Sequence, residues 1–293
     1  VALPKLIALA KLSGHEKDIN IYNQLWEKQK ELINDIGWDG AWFRRAIMDN
    51  GLFLGTKDNY EAKLWLNAQS WAVMSGYVTP EKAEQAMDVV REKLDTELGI
   101  KLIDPSITTF PDPKDPLTNY NKGTGENAAI FCHANTWAII AECMLGRGDV
   151  AWKYYRQLIP KVAMEQAGVW RYKAEPYVYC SNLFGPESDK FGLANVSWLS
   201  GTAAWMYVAA TQYILGIRAS WNGLSIDPCL PSDWEHVNIS RRFRSKLYNI
   251  IIHKRKGICK GNVEILLNDE KIEGNVIPEV KSHATNNVKV FIK

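Results

Sequence analysis

Two kinds of hydrophobic pattern alternate along the first 216 residues. In one kind, apolar residues recur at three- and four-residue spacing and charges fill the opposite face, which predicts amphipathic helices. These segments are 15–35, 80–98 and 148–167. The other kind is apolar on nearly all sides, which predicts helices surrounded by protein. These segments are 1–13, 60–76, 127–145 and 197–216.

The connections between these segments are short from a buried-type helix to an amphipathic one and long in the other order. A buried-type helix leads to the next amphipathic one within a few residues, whereas the return connections are long. The long ones are 36–59, 99–126 and 168–196. Buried-type helices also start roughly 67 to 70 residues apart, as in a repeat of helical hairpins. This arrangement predicts an inner and an outer ring of helices, an α/α toroid, with its pocket at the end of the long loops. The pattern contains about seven helices, fewer than a closed ring needs.

The pattern changes after Gly216. Short β-branched runs follow one another, separated by Gly, Asn, Asp and Pro, and Asn268-Asp-Glu-Lys is typical of a hairpin turn. The predicted strands lie at 224–228, 237–240, 247–253, 263–267 and 288–292. The predicted fold class is therefore mainly α: residues 1–216 form part of an (α/α)6 toroid and residues 217–293 form a small antiparallel β-sandwich.

Charge and cysteine content narrow the function classes. Lys and Arg total 35 against 33 Asp and Glu, a net charge of +2, which argues against nucleic acid or an anionic membrane as a partner. The five cysteines are widely spaced and form no C-x-x-C pair, so we expect reduced thiols in a cytoplasmic protein. The histidines lack the spacing of metal ligands, and we expect no metal site. Twelve Trp and twelve Tyr fit a helical core, and they also suit binding of sugar rings.

Four strings resemble, in order, those of glycoside hydrolase family 94, the cellobiose and chitobiose phosphorylases. They are Trp38-Asp-Gly-Ala-Trp-Phe-Arg-Arg-Ala, Glu126-Asn-Ala-Ala-Ile-Phe-Cys-His-Ala-Asn, Trp198-Leu-Ser-Gly-Thr-Ala-Ala-Trp, and Ile226-Asp-Pro-Cys-Leu-Pro-Ser-Asp-Trp followed by Arg241-Arg-Phe-Arg. The similarity runs from about residue 1 to residue 280. The resemblance implies a glycosyltransferase that cleaves a β-linked disaccharide with inorganic phosphate, inverting the anomeric centre and releasing α-sugar 1-phosphate and a free sugar. It implies phosphate as co-substrate and no cofactor.

The resemblance also implies roles for particular residues. His133, Ser200, Gly201 and Thr202 match the family's phosphate-binding positions. A histidine in an apolar helix is also typical of a core residue, and Ser-Gly-Thr is also typical of close helix packing. Glu126 matches a carboxylate near the cleaved sugar, and its position before a helix also suits the helix dipole. Tyr179 and Ser181 lie where the family contacts the leaving sugar.

The chain departs from the family pattern at several positions. Gly125 stands where cellobiose phosphorylases carry Lys, and Cys180-Ser181 stands where we expect Gln, so the acceptor sugar is left open. The aspartate that acts as general acid is expected upstream of residue 1. The chain is therefore expected to be a C-terminal half, inactive alone and partnered by the missing N-terminal part; a homodimer stays open. Alternatives are a toroid glycoside hydrolase, a carbohydrate-binding fragment, or a chitobiose, laminaribiose or cellodextrin phosphorylase.

Overall fold

The computed structural model describes residues 1–110, 116–279 and 283–293. Residues 111–115 of the predicted loop 99–126 lie outside the described residues. Two compact units divide the chain. The first comprises 1–141 and 156–202, and the second comprises 142–155 and 203–293.

Helices dominate up to Ile214. They are α1 (Ala2–Ser13), α2 (Glu16–Asp35), α3 (Leu66–Ser75), α4 (Pro80–Lys93), α5 (Cys132–Met144), α6 (Gly148–Leu158), α7 (Pro160–Ala167), α8 (Val169–Tyr172) and α9 (Thr202–Val208), with a 3-10 turn at Pro116–Asn119 and a π-helix at Ala209–Ile214. The coarse prediction of a mainly helical chain with a strand-rich C-terminal end is confirmed.

Short strands lie in the predicted long loops and also at the edges of segments predicted as helices, where residues 64–65 of 60–76, 95–96 of 80–98 and 130–131 of 127–145 are extended. These are β1 (Ala46–Ile47), β2 (Phe53–Leu54), β3 (Leu64–Trp65), β4 (Asp95–Thr96), β5 (Gly99–Ile100), β6 (Ile103–Asp104), β7 (Ile130–Phe131), β8 (Cys180–Leu183) and β9 (Ala194–Ser197). Strand β3 pairs with β6, and β7, β8 and β9 form one antiparallel sheet. These pairs anchor the loops to the segments that lead into α3 and α5.

Helices α3 and α5 are built in the same way. Each begins four residues after a non-glycine residue with left-handed backbone, Ala62 (φ 48°) and Ala128 (φ 65°). The fourth residue of each helix has a buried amide side chain. Its oxygen accepts from the backbone N–H of one loop residue, and its nitrogen donates to the C=O of the same residue. Gln69 binds Phe43 in this way, at 2.8 and 2.9 Å, and Asn135 binds Ile100, at 2.7 Å each way. These bonds satisfy backbone groups that the irregular loops would otherwise leave unpaired.

The aromatic contacts of α3 and α5 show their common register. Trp71 and Trp137 are each the sixth residue of their helix, and their rings meet edge to face with centroids 5.2 Å apart. The two helices therefore pack with equivalent positions opposite one another. Helix α4 covers the core with Ala83, Ala86, Met87 and Val90, as its amphipathic pattern predicts.

Three helix predictions need correction. Segment 148–167 is two helices, because Pro160 lacks the N–H that would continue α6 and instead occupies the first turn of α7. Segment 197–216 starts as a helix only at Thr202 and widens into the π-helix. Helix α1 is not surrounded by protein: only Ala10 is buried, while Leu9 and Leu12 are 47% and 63% exposed.

The second unit contains two sheets. They comprise β10 (Ile217–Ser220), β11 (Gly223–Ile226), β12 (His236–Phe243), β13 (Lys246–Lys254), β14 (Val263–Leu267), β15 (Glu270–Ile272), β16 (Val276–Ile277) and β17 (Thr285–Ile292). Their orders are β10-β11-β16 and β12-β13-β17-β14-β15. The prediction of purely antiparallel strands is wrong, because β13 and β17 pair in parallel. Strand β17 pairs with β13 on one side and, in antiparallel fashion, with β14 on the other.

Both two-residue hairpin turns of the larger sheet have left-handed backbone at each position. Asn268 and Asp269 (φ 51° and 70°) join β14 to β15, at the turn expected from the sequence. Arg244 and Ser245 (φ 47° and 65°) join β12 to β13. Asparagine and aspartate tolerate this conformation well, whereas arginine is not typical of it. Only the turn at Asn268 and Asp269 could therefore be predicted.

Candidate functional site

His133 is the second residue of α5. The turn at Ala128 and the pairing of β7 with β8 direct the chain into this helix. The imidazole is half-buried and lies 4.8 Å, centroid to centroid, from the ring of Trp137 one turn along. Burial lowers the pKa of His133, which favours the neutral imidazole. A neutral imidazole has one N–H donor and one acceptor nitrogen.

Gly201 lies directly against this ring. A Cβ atom at Gly201 would stand 2.8 Å from Cε1 and 3.0 Å from Nδ1 of His133. Real Cβ atoms do not approach a ring so closely, so glycine is what permits the contact. The structure therefore brings together His133 and Gly201, which are 68 residues apart in the sequence.

Ser200 and Thr202 form a hydroxyl pair beside Gly201. Their Oγ and Oγ1 atoms are 2.5 Å apart, and the backbone N–H of Thr202 donates to Ser200 Oγ at 3.1 Å. Thr202 is fully buried, whereas Ser200 is partly exposed. The turn before them has left-handed backbone at Val196 (φ 51°) and Trp198 (φ 69°), which is uncommon for residues of this size. Ser200 is therefore the hydroxyl of this pair that is open to a ligand.

Glu126 lies in a tight turn ahead of β7. Its side chain is exposed, and it has no hydrogen bond or ion pair with His133, Ser200 or any other described residue. Asn127 fixes the turn with its buried amide, which binds both backbone groups of Ile107 and donates to the carbonyl of Tyr120 at 2.9 Å. The carboxylate is thus held at the surface by a rigid backbone and left available.

Tyr120 was not predicted as a site residue. A Cβ at Gly125 would lie 2.6 Å from Cδ1 and Cε1 of the Tyr120 ring, so the ring covers the place where a side chain at Gly125 would begin. Gly125 has a φ of 55°. The ring is 46% exposed. The sequence offers no signal for this contact, because the turn that folds Tyr120 back onto Gly125 depends on the Asn127 amide.

Ser181 lies in β8, and Tyr179 lies just before that strand; both are half-buried. Cys180 and Asn182 are buried, and since side chains alternate along a strand, Ser181 points to the opposite, more open face. The pairing of Phe131 with Asn182 places this segment beside the start of α5, where the Sγ atoms of Cys132 and Cys180 are 3.8 Å apart. No described contact involving Ser181 reaches His133.

Within the described residues, no group of three or more His, Cys, Asp or Glu side chains could hold a metal ion. Among the helices of these residues, none combines the length and the apolar character needed to cross a membrane.

The family model described as "Glycosyl hydrolase 94 superfamily, catalytic domain" matches residues 1–216. The chain belongs to glycosyl hydrolase family 94. This confirms the resemblance drawn from the four strings. It also places the contact of His133 with Gly201 inside the catalytic domain of that family.

Two curated relatives of this chain are phosphorylases by name. The chain is 38% identical over 293 residues to an N,N'-diacetylchitobiose phosphorylase from Vibrio proteolyticus, covering 99% of this chain and 36% of that protein. It is 34% identical over 261 residues to a solabiose phosphorylase from Paenibacillus borealis, covering 89% of this chain and 34% of that protein. The chain thus spans about a third of the length of these relatives.

A solved structure of lower similarity is a family GH92 α-mannosidase from Bacteroides thetaiotaomicron. It has a TM-score of 0.38 and 13% identity, and the match covers 97% of this chain and 32% of that chain. This likeness is too low to inform the fold or the function.

Proposed function

We propose that this chain forms the C-terminal part of an inverting disaccharide phosphorylase. The enzyme cleaves a β-linked disaccharide with inorganic phosphate and releases an α-sugar 1-phosphate and a free sugar. The observation that carries the proposal is the contact of His133 with Gly201 beside the Ser200 hydroxyl. In addition, the curated relatives cited above are disaccharide phosphorylases by name.

Phosphate binds among His133, Ser200 and Gly201. An imidazole N–H, a serine hydroxyl and the backbone N–H of Gly201 are donors of the kind that a phosphate dianion needs. Thr202 acts by holding Ser200, since its own hydroxyl is buried against that of Ser200.

The disaccharide lies toward Glu126, Tyr179 and Ser181. The unpaired carboxylate of Glu126 accepts hydrogen bonds from sugar hydroxyls, and the exposed face of Tyr120 packs against a sugar ring. Because Tyr120 covers Gly125, this aromatic surface takes the place of the lysine found in cellobiose phosphorylases. We therefore expect an acceptor preference different from theirs.

The phosphate oxygen attacks the anomeric carbon on the face opposite the leaving sugar, while a carboxylic acid protonates the departing oxygen. Since phosphate is already a nucleophile, a single acid suffices, whereas an inverting hydrolase needs a second carboxylate about 6.5–9.5 Å away to activate water. We place the acid in the part of the enzyme that corresponds to the remaining two thirds of the relatives. The chain alone is then a saccharide- and phosphate-binding fragment.

The finer architecture belongs to the same proposal. Residues 1–216 form part of an (α/α)6 toroid, and residues 217–293 form a β-sandwich domain. We assign α3 and α5 to the inner ring and His133 to its open end, and the common register of the two helices supports this assignment. A cytoplasmic location fits the free thiols of all five cysteines.

The decisive experiment combines this chain with the N-terminal two thirds of the Vibrio proteolyticus relative, by co-expression. The complemented enzyme is assayed on N,N'-diacetylchitobiose and cellobiose, with and without inorganic phosphate, and ³¹P NMR detects α-sugar 1-phosphate. We expect phosphate-dependent product from the pair and none from the chain alone. Sugar release without phosphate would indicate a hydrolase, and full activity of the chain alone would make Glu126 the first candidate for the acid.

His133→Ala in the complemented enzyme should raise the KM for phosphate about 10- to 100-fold, the worth of a hydrogen bond to a charged group. The matched control is His15→Ala, because His15 is an exposed histidine between α1 and α2. An unchanged phosphate KM in His133→Ala would contradict the assignment.

A further inference from the structure

Asn67 is the second residue of α3, as His133 is the second residue of α5. Its side-chain oxygen Oδ1 is buried and has no hydrogen-bond partner. The Asn67 amide nitrogen makes no hydrogen bond within the described residues either, and the residue as a whole is half-buried. A buried acceptor without a partner destabilises the folded state, so a protein keeps one only where something compensates.

The register of the two helices shows which way Asn67 faces. Residues four apart lie on the same face of a helix, so Asn67 shares a face with Trp71, as His133 does with Trp137. The rings of Trp71 and Trp137 meet with centroids 5.2 Å apart, and the His133 ring lies against Trp137. The two helices also begin side by side, because the N–H of Leu66 donates to the carbonyl of Leu102 and the N–H of Leu102 donates to the carbonyl of Ala129, each at 2.9 Å. Asn67 therefore lies one turn from the Trp71–Trp137 contact, at the same end of the helix pair as His133.

We propose that the Asn67 amide is a binding group for a sugar hydroxyl in the candidate site to which His133 belongs. An amide offers a donor and an acceptor, which match a hydroxyl that can both accept and donate. A phosphate dianion matches it less well, because the dianion only accepts hydrogen bonds and would leave the buried Oδ1 without a donor. This inference rests on the proposed function, which makes the site around His133 a substrate-binding site. It adds a sugar-binding residue that lies outside the four family-like strings.

The neighbouring amides of α3 and α5 sharpen the contrast. Gln69 and Asn135 are buried and fully used in binding backbone groups. Asn67 is on the same helix as Gln69 and binds nothing through its side chain. Gln69 and Asn135 are therefore structural amides, and they provide the comparison that shows Asn67 to be different.

The test uses Asn67→Ala with Asn23→Ala as control, an exposed asparagine of α2. Removing an unsatisfied acceptor from a helix should leave the melting temperature unchanged or raise it, because alanine also favours helix. In the complemented enzyme, Asn67→Ala should lower kcat/KM for the disaccharide about tenfold or more and leave the phosphate KM unchanged. Asn23→Ala should change neither quantity.

Deoxy-sugar substrates identify the hydroxyl. The unsubstituted enzyme should discriminate against one deoxy analogue in a series, and Asn67→Ala should lose that discrimination alone. Equal losses on all analogues, a raised phosphate KM, or a lowered melting temperature would each overturn the proposal.

Saccharide binding to the 293-residue chain separates this proposal from the proposed function. Ligand-observed NMR with glucose and N-acetylglucosamine should show binding that Asn67→Ala weakens and Asn23→Ala does not. If cleavage proves independent of phosphate while this binding difference holds, the phosphorylase proposal fails and the role of Asn67 stands. If the unsubstituted chain binds neither sugar and the complemented enzyme shows no effect of Asn67→Ala, the role of Asn67 is refuted.

Discussion

Helices α1 and α3 have similar apolar sequences and very different surroundings. In α3, Leu66, Ala72, Val73 and Met74 are buried, along with the polar Gln69 and Ser70. In α1, Ala10 is the one buried residue of the helix, and its leucines at positions 6, 9 and 12 are 40%, 47% and 63% exposed. The difference shows that apolar composition predicts a helix but does not predict whether the helix is buried. Burial depends on which other elements of the chain pack against it.

The neighbours of α3 are specific. Strand β6 pairs with β3 at its start, the Gln69 amide binds Phe43, and Trp71 meets Trp137. Helix α1 packs against α2, and none of the residues of α2 is buried. Ile21, Leu25 and Leu32 of α2 are 51%, 42% and 44% exposed. Helix α3, in the segment 60–76 that is predicted to be surrounded by protein, is largely covered, and the exposed apolar faces belong to α1 and α2.

The largest expected effect concerns the buried helix. Leu66 is fully buried at the first position of α3, so Leu66→Ala removes apolar contacts and leaves a cavity. We expect a loss of about 2–5 kcal/mol in the free energy of unfolding. Urea denaturation followed by tryptophan fluorescence measures it. A loss below about 1 kcal/mol would mean that α3 is no better covered than α1.

A smaller effect tests how the loop beyond β6 is tied to the segment before α3. The Glu61 carboxylate accepts from the backbone N–H groups of Thr108, Thr109 and Phe110 at 2.7, 3.0 and 3.1 Å, and from the Thr108 hydroxyl. Although partial burial acts in the opposite direction, these bonds lower the pKa of Glu61 to about 2. The stabilisation is therefore complete above the unfolded pKa, 4.5, and is lost as the pH falls toward 2.

Glu61→Gln should cost about 1–2 kcal/mol at pH 7, discounted because the group is partly exposed, and should flatten the dependence of stability on pH between 4.5 and 2. The control is Glu31→Gln on α2, an exposed glutamate for which neither change is expected. A variant that keeps the same pH dependence as the unsubstituted protein would show that Glu61 does not tie this loop.

Much of the helical fold could be predicted because periodicity records which faces are apolar. The amphipathic segment at 80–98 matches α4, and the strand runs at 237–240 and 263–267 match β12 and β14. The π-helix at Ala209–Ile214 could not be predicted, since its sequence has no proline or glycine to mark the change. The parallel pairing of β13 with β17 also leaves no local mark, because β-branched residues suit either direction.

The candidate site also contains some residues that could be predicted from the sequence and others that only the structure identifies. His133 and Gly201 stand in strings that resemble a family, so they could be named before their contact was known. Tyr120 and Asn67 stand outside those strings. Tyr120 is placed by the Asn127 amide, and Asn67 is revealed by an unpaired atom and by the register of α3 with α5. Such features depend on three-dimensional neighbours and not on spacing.

The smallest expected effect is at the exposed helix. Leu12 is 63% exposed in the last turn of α1, so truncating it removes little surface from contact with protein. Leu12→Ala should change the free energy of unfolding by about 0.5 kcal/mol or less, against the several kcal/mol expected for the same substitution at Leu66. An exposed stripe of leucines favours association through apolar contact, so the same variant should reduce self-association of the isolated chain, measured by sedimentation. A large loss of stability in Leu12→Ala would show that α1 is covered in solution, and the contrast between the two helices would then be wrong.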